Sequence, residues 1–381
     1  MKALIIGCGI AGPVTAMALR EVGIEAEIYE AYARGADDVG SFLNVASNGL
    51  AALRVLDAHG DVLKAGIPTP RMVMWSGTGK RLGEVANGLE LDDGTVSHTI
   101  LRSDLYRIVR DEAERRGIPI TYGKRLTFYD EKPDSVTAVF ADGTSATGDL
   151  LIACDGVHSR TRTVLDPQAP PPRYSGLYGF GGIVAESGLT GEPGTYHMVF
   201  GKRAFFGYTV AASGETWWFA NLPRKLGDVP ADWKPVLVDA FKRDANASAD
   251  LIRRSDIGQG LPIYDLPELP TWHRGRVLLT GDAAHATSPS SGQGASLAIE
   301  DAIVLARCLR ESRDHEEAFT RFESERRPRA ERVVAYSRTI SNSKAAGPIA
   351  RVFRDLLMPI FIKKSAGQES LAWMYRYQVS L

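Results

Sequence analysis

A chain of 381 residues with 44% hydrophobic and 24% charged residues has the composition of a folded globular protein, long enough for two domains. A net charge of −1 gives no global attraction to nucleic acid or to an anionic membrane surface. Cys8, Cys154 and Cys308 lie far apart without metal-ligand spacing, so a reduced, metal-free, cytoplasmic protein is expected. Met1 leads straight into an apolar strand, so no signal peptide is expected, and no run is long enough to be an integral membrane segment.

Residues 3–6 form a short apolar run, the pattern of a parallel strand buried on both faces. Gly7, Gly9, Ile10, Ala11 and Gly12 then make a G-x-G-x-x-G turn into a helix. The first two glycines permit a tight turn and close backbone approach to a pyrophosphate, and the third lets helix and strand touch. A second strand over residues 25–29 ends at Glu30, eighteen residues after Gly12. An acid there accepts hydrogen bonds from ribose hydroxyls and repels a 2′-phosphate. A dinucleotide site for FAD or NAD, rather than NADP, follows.

Further along, Ser47 or Asn48 is placed to cap a helix carrying Leu50, Leu53 and Leu56. Residues 71–84 read as a hairpin, and a helix opens at Ser103 after Arg102. Strands are expected at 118–122, 136–140 and 145–152, the last leading to Asp155. Proline-rich residues 167–172 form a stiff connection into an aromatic, antiparallel meander with strands at 195–200, 204–210 and 216–222. Residues 276–280 return to a buried parallel strand, followed by Asp282, His285, Pro289, Gly292, Gly294 and Ala295 at the start of a long helix. Its apolar stripe is Ala298, Ala302, Leu305 and Leu309. The basic cluster at 321–332 alternates with glutamates and reads as a solvated helix. The apolar, basic-flanked residues 345–364 are expected to pack on the nucleotide domain, with a membrane-surface helix as the other option.

Three ordered motifs, Gly7 to Gly12, Asp155-Gly156-x-x-Ser159-x-x-Arg162, and Gly281-Asp282-Ala283-Ala284-His285 with Pro289, Gly292, Gln293 and Gly294, resemble the FAD-dependent aromatic hydroxylases. These are single-component flavoprotein monooxygenases related to para-hydroxybenzoate hydroxylase, including salicylate-type and tetracycline-modifying enzymes. The resemblance implies an α/β fold, a Rossmann-like FAD-binding domain (1–70, 98–172, 271–330) interrupted by an antiparallel β-sheet substrate domain (71–97, 173–270), with C-terminal helices (331–381). It also implies that Asp282 binds the ribityl chain, Asp155 serves flavin and nicotinamide nucleotide, Arg102 contacts the cofactor and Pro289 lies beside the oxygen-adding carbon. Relatives often carry a basic residue directly after the ribose-binding acid, but Ala31 follows Glu30 here, and Arg34 is the replacement. Arg162 is expected to anchor its motif, and His285 to be a structural hydrogen-bonding residue.

The expected chemistry is hydroxylation of an aromatic or polycyclic small molecule, with NADPH or NADH as transient donor. Reduced FAD would add O2 at C4a and pass one oxygen on from the hydroperoxide. The expected state is a monomer or weak dimer. Two alternatives stay open: an FAD-linked reductase or epoxidase of an isoprenoid, and a flavin-fold binding protein without chemistry.

Overall fold

The computed structural model describes residues 1–33, 41–344, 348–365 and 371–381. A six-stranded sheet runs in the order His273–Arg274, Val277–Leu279, Leu150–Ala153, Lys2–Ile6, Glu25–Tyr29, Ile120–Thr121. All neighbours are parallel except the first pair. Leu4, Ile5, Leu151, Ile152 and Leu278 are completely buried, which is why these strands read as unbroken apolar runs. The helices Ala11–Glu21 and Gly294–Glu311 share this core through Met17, Ala18, Ile299 and Ile303.

Two local expectations are corrected here. The single strand expected at 145–152 is two strands, Ser145–Gly148 in a small antiparallel sheet and Leu150–Ala153 in the parallel one. The chain turns where a Cβ on Gly148 would sit 3.0 Å from Leu4 and from the Lys2 carbonyl. There Lys2 N–H donates to Asp149 Oδ2 at 2.6 Å, and Asp149 N–H to Lys2 O at 2.8 Å. Neither Ser47 nor Asn48 caps the helix Ser47–Val55, whose N-cap is Ala46. Asn48 is instead buried, donating to Gln293 at 3.0 Å and to Glu300 at 2.7 Å.

The aromatic region forms a seven-stranded sheet ordered Leu261–Asp265, Arg173–Val184, Thr216–Pro223, Phe205–Val210, Thr195–Phe200, Arg71–Ser76, Arg81–Ala86. It is antiparallel except where Thr195–Phe200 meets the expected hairpin at Arg71–Ser76. Alternation sorts its side chains. Phe206, Trp218 and Ala220 pack outward under the helices Trp233–Phe241 and Ser248–Arg254. Tyr196, Met198, Phe200, Phe205 and Phe219 face a cavity.

The helix Pro348–Ser365 does not dock on the nucleotide sheet as expected. It lies against the strand Arg81–Ala86, with Met358 packed near Leu82, Phe200 and Phe205. Val352, Phe353, Leu356 and Ile360 remain exposed on its other face. Among the described residues, no helix is long and apolar enough to cross a membrane.

The 321–332 cluster is solvated only in part, with Arg321 and Arg332 exposed. Within the helix His315–Lys344, Arg326 is completely buried and Arg329 nearly so. Arg326 donates to Asp301 Oδ1 and Glu300 Oε2 at 2.7 Å, and Arg329 grips Glu300 at 2.7 and 2.8 Å. Burial disfavours the Arg326 charge, but Asp301 and Glu300 outweigh it and hold the guanidinium above its ordinary value. Burial likewise opposes the Asp301 charge, and His285 with Arg326 more than compensates, keeping the carboxyl well below the usual range. Arg326→Met would leave two buried acids short of a counter-charge. It is expected to cost about 3–5 kcal/mol in urea unfolding of the purified protein. A loss below about 1 kcal/mol, the scale of a surface pair, would contradict this account.

Candidate active site

Glu30, Asp155 and Asp282 share one edge of the parallel sheet, because each closely follows the carboxyl end of a strand. Gly7 follows Lys2–Ile6, Glu30 follows Glu25–Tyr29, Asp155 comes two residues after Leu150–Ala153, and Asp282 three after Val277–Leu279. Ligands of open α/β sheets bind along this edge. The three motif glycines stand in different surroundings. A Cβ on Gly7, at φ 103°, would lie 2.5 Å from the Cys154 carbonyl oxygen. One on Gly12 would lie 2.0 Å from the Gly7 carbonyl oxygen, so helix and turn are in backbone contact. At Gly9 a Cβ meets nothing within 4 Å. The helix that begins at Ala11 has Ile10 as N-cap, no side-chain cap bond and no acid in its first turn, an arrangement that suits a phosphate.

Glu30 is buried, and its two oxygens accept Cys8 N–H at 2.7 Å and Tyr32 N–H at 3.0 Å. The carboxylate thus fastens the glycine turn while keeping lone pairs in reserve. Asp155 Oδ2 accepts both the N–H and hydroxyl of Thr161 at 2.9 Å, whereas its buried Oδ1 has no protein partner. An orphaned buried acceptor beside Gly7 fits a hydroxyl-bearing cofactor. Arg162 is the anchor expected of it, donating to Ala283 O at 2.9 Å and Val157 O at 2.7 Å. Arg34 lies outside the described residues.

Beyond this edge opens a cavity of about 1840 Å³. It brings together Ile10, Arg102, Asp282, Pro289, Gly292, Gly294 and Ala295, while Gly7, Gly9, Ala11, Gly12, Glu30 and Asp155 stand outside its lining. Asp282 opens onto the cavity, yet protein surrounds it closely. That desolvation raises its carboxyl, with His285 and Arg102 pulling the other way. Pro289 begins a short 3-10 turn held by hydroxyls: Ser288 and Ser290 bond Ser341 at 2.8 and 2.7 Å, and Ser291 bonds Ser337. Gly292 turns left-handed at φ 65° against Asn44. The helix starting at Gly294 and Ala295 again has no side-chain cap and no acid in its first turn. His285 is structural, donating from Nε2 to the ionised Asp301 at 2.6 Å.

The profile of the FAD binding domain family matches residues 1–337. This chain belongs to that family. FAD-dependent urate hydroxylase from Klebsiella pneumoniae is 33% identical over 349 residues, 89% of each protein. Aurachin C monooxygenase/isomerase from Stigmatella aurantiaca is 31% identical over 351 residues, 88% of each. The crystal structure of Klebsiella pneumoniae HpxO complexed with FAD and uric acid aligns with a TM-score of 0.85 at 27% identity, covering 98% of this chain and 97% of that one. The protein is an FAD-dependent monooxygenase of the aromatic hydroxylase type, as its three sequence motifs imply.

Several parts of this flavoprotein's site have no motif. The serine contacts around Pro289, Asn48 as the partner of the third motif's Gln293, and the buried Lys344 in the cavity wall all arise from residues far apart in sequence. The adjacent acids Glu300 and Asp301 inside the otherwise apolar stretch 297–306 were the one available signal of a buried counter-charge.

The glycines give a sharp test. Gly9→Ala should fold normally, because its Cβ enters open space, but lose FAD affinity by intruding on the phosphates. Gly12→Ala should fail to fold stably, because its Cβ would overlap the Gly7 carbonyl. Thermal melts of FAD-free protein and FAD titrations separate the two, and equal destabilisation would refute the distinction.

Proposed function

We propose that the protein hydroxylates a planar aromatic small molecule, drawing electrons from NADH or NADPH and one oxygen atom from O2. The observation carrying this reading is one cavity with two unlike walls. One wall has Arg102, Asp282, Pro289 and the uncapped helix start at Gly294, and the other has Tyr196, Phe200, Phe205 and Phe219. In this reading Glu30 binds the adenosine ribose, the Gly9–Ala11 turn takes the pyrophosphate, and Asp155 Oδ1 receives a cofactor hydroxyl. Asp282 accepts from the ribityl hydroxyls, with Arg102 nearby to balance its charge. When bound, FAD supplies the redox chemistry, taking two electrons from the nicotinamide and activating O2.

The chain's own residues do the positioning. First-turn N–H groups at Gly294 and Ala295 favour negative charge on whatever docks against them. Pro289 presents a face without an N–H, fixed by the serine contacts to the long helix. The aromatic wall excludes water, so that activated oxygen reaches substrate instead of being lost as H2O2. A planar purine such as the uric acid held by HpxO is the first substrate class to screen.

Asp282→Ala should leave the fold intact and weaken FAD binding about ten- to a hundredfold, the value of a charge-assisted hydrogen bond. Wild-type affinity in that variant would remove Asp282 from the cofactor site. With ¹⁸O2 and a substrate that stimulates NAD(P)H oxidation, the product should gain one labelled oxygen and H2O2 should stay minor. Stoichiometric H2O2 with an unlabelled, dehydrogenated product would instead make the protein an oxidase.

A further inference from the structure

Among the described residues, three cations line the cavity, Arg71, Arg102 and Lys344. Arg71 is exposed and paired with Glu192 and Glu84. Arg102 stands with Asp282 at the cofactor wall. Lys344 is different. It is the last residue of the long helix, is 9% exposed, and among the described residues has no carboxylate partner. Its Nζ donates to Asn221 Oδ1 at 3.0 Å and sits 4.4 Å from the Phe205 ring centre and 5.7 Å from that of Phe219. Asn221 is itself oriented by a bond from its Nδ2 to Ala220 O at 3.1 Å. One neutral acceptor and two ring faces leave an ammonium with unused donors. A buried charge without a counter-charge is costly, and such a group is retained where a ligand completes it.

Resting on the hydroxylase reading above, we propose that Lys344 is the anion anchor of the substrate chamber, its Nζ binding an ionised oxygen carried by the planar substrate. The substrate class is then an acidic aromatic (a carboxylate, phenol or enol), and a neutral isoprenoid is disfavoured. Asn221 is a positioning residue that holds the ammonium against Phe205 and Phe219. Burial pushes the Lys344 ammonium down to about 7, so both forms are present near neutrality. A carboxylate pairs with the charged form. A phenol or enol can give its proton to the neutral form, so that the O–H bond breaks, an N–H bond forms, and the same ion pair results. An ionised ring hydroxyl also enriches the ring in electrons for attack on oxygen.

Other ionisable groups at or beside this cavity have partners of their own, and Glu90 and Tyr264 also line it. Glu84 is bound to Arg81, and Tyr196 hydroxyl accepts from Thr99 at 2.9 Å. Arg354 is paired with Asp355 over Phe200, and Asp282 faces Arg102. Burial raises the phenols of Tyr336 and Tyr375, so they stay neutral through the range tested.

The test uses FAD-loaded enzyme and three probes, 2-naphthoate, 2-naphthol and the neutral 2-naphthamide, with binding followed by the flavin spectrum. At about pH 6, wild type should bind 2-naphthoate about ten- to a hundredfold more tightly than 2-naphthamide. That preference should fade as pH rises through about 7. Binding of 2-naphthol should peak above that point, before the free naphthol ionises. Lys344→Met should abolish the preference for 2-naphthoate, and Lys344→Arg should keep it but lose its decline with pH. Equal binding of the naphthoate and naphthamide by wild type, or an undiminished preference in Lys344→Met, overturns the anchor. If Lys344→Met does not fold, the wild-type ratio and its pH profile still decide. Flavin content and NAD(P)H oxidation are measured on the same samples. Loss of these would sink the hydroxylase reading, whereas normal values with no preference would sink only the anchor.

Discussion

The turn that presents Asp282 hangs on a pair of adjacent acids buried in one helix. Asp301 Oδ2 accepts Gly281 N–H at 3.0 Å, the Thr280 hydroxyl at 3.2 Å and His285 Nε2 at 2.6 Å. The turn that presents Asp282 is thereby tied to the helix that begins at Gly294. Glu300, one residue earlier, accepts from Asn48, Arg326 and Arg329, joining two further helices to the same point. Replacing such a network with well-packed apolar side chains is often neutral or stabilising, so net stability is a poor reason for it. Directionality is the better one. Hydrogen bonds fix the backbone of residues 280–285 in a way that Leu and Ile contacts would not. The network also carries a pH dependence. Because the Asp301 carboxyl is depressed, its contribution is complete above the ordinary aspartate range and is lost as pH falls through the folded value.

The two walls of the cavity are made by opposite strategies. The side proposed for the cofactor is built largely from backbone, with glycine turns and two helix starts that carry no side-chain cap. The aromatic side is built from side chains, selected by the two-residue period of its strands. Tyr196, Met198 and Phe200 alternate inward while His197 and Val199 turn away, and the same holds for Phe219 and Asn221 against Trp218 and Ala220. Backbone recognition suits a constant ligand, and side-chain recognition can change between relatives without disturbing the sheet.

What could be read from the sequence was local. The glycine turn, Glu30 eighteen residues on, and the order of the three motifs each depend on a few neighbouring residues and their place at a strand end. The meander was equally legible, because turn residues separate its aromatic strands. Burial of charge was not. Arg326 and Arg329 sit among glutamates in a pattern that solvated helices share, and only the meeting of two helices shows that they point inward. Lys344 was hidden for the same reason, since its partners Phe205, Phe219 and Asn221 lie more than a hundred residues upstream. The C-terminal helix misled in another way. Its apolar spacing was real, but spacing does not name the surface a helix packs on.

The strand order of the parallel sheet has a consequence for how the chain is made. Leu151, Ile152 and Ala153 pair on one side with Ile5 and its neighbours, and on the other with Val277, Leu278 and Leu279. Between these partners the ribosome must deliver most of the seven-stranded sheet, from Arg173 to Asp265. Throughout that interval the nascent parallel sheet has an apolar strand with an unpaired edge, open to pairing with any extended chain nearby. Fragments ending between residues 153 and 277 carry the same open edge permanently, which makes them poor candidates for expression as separate units.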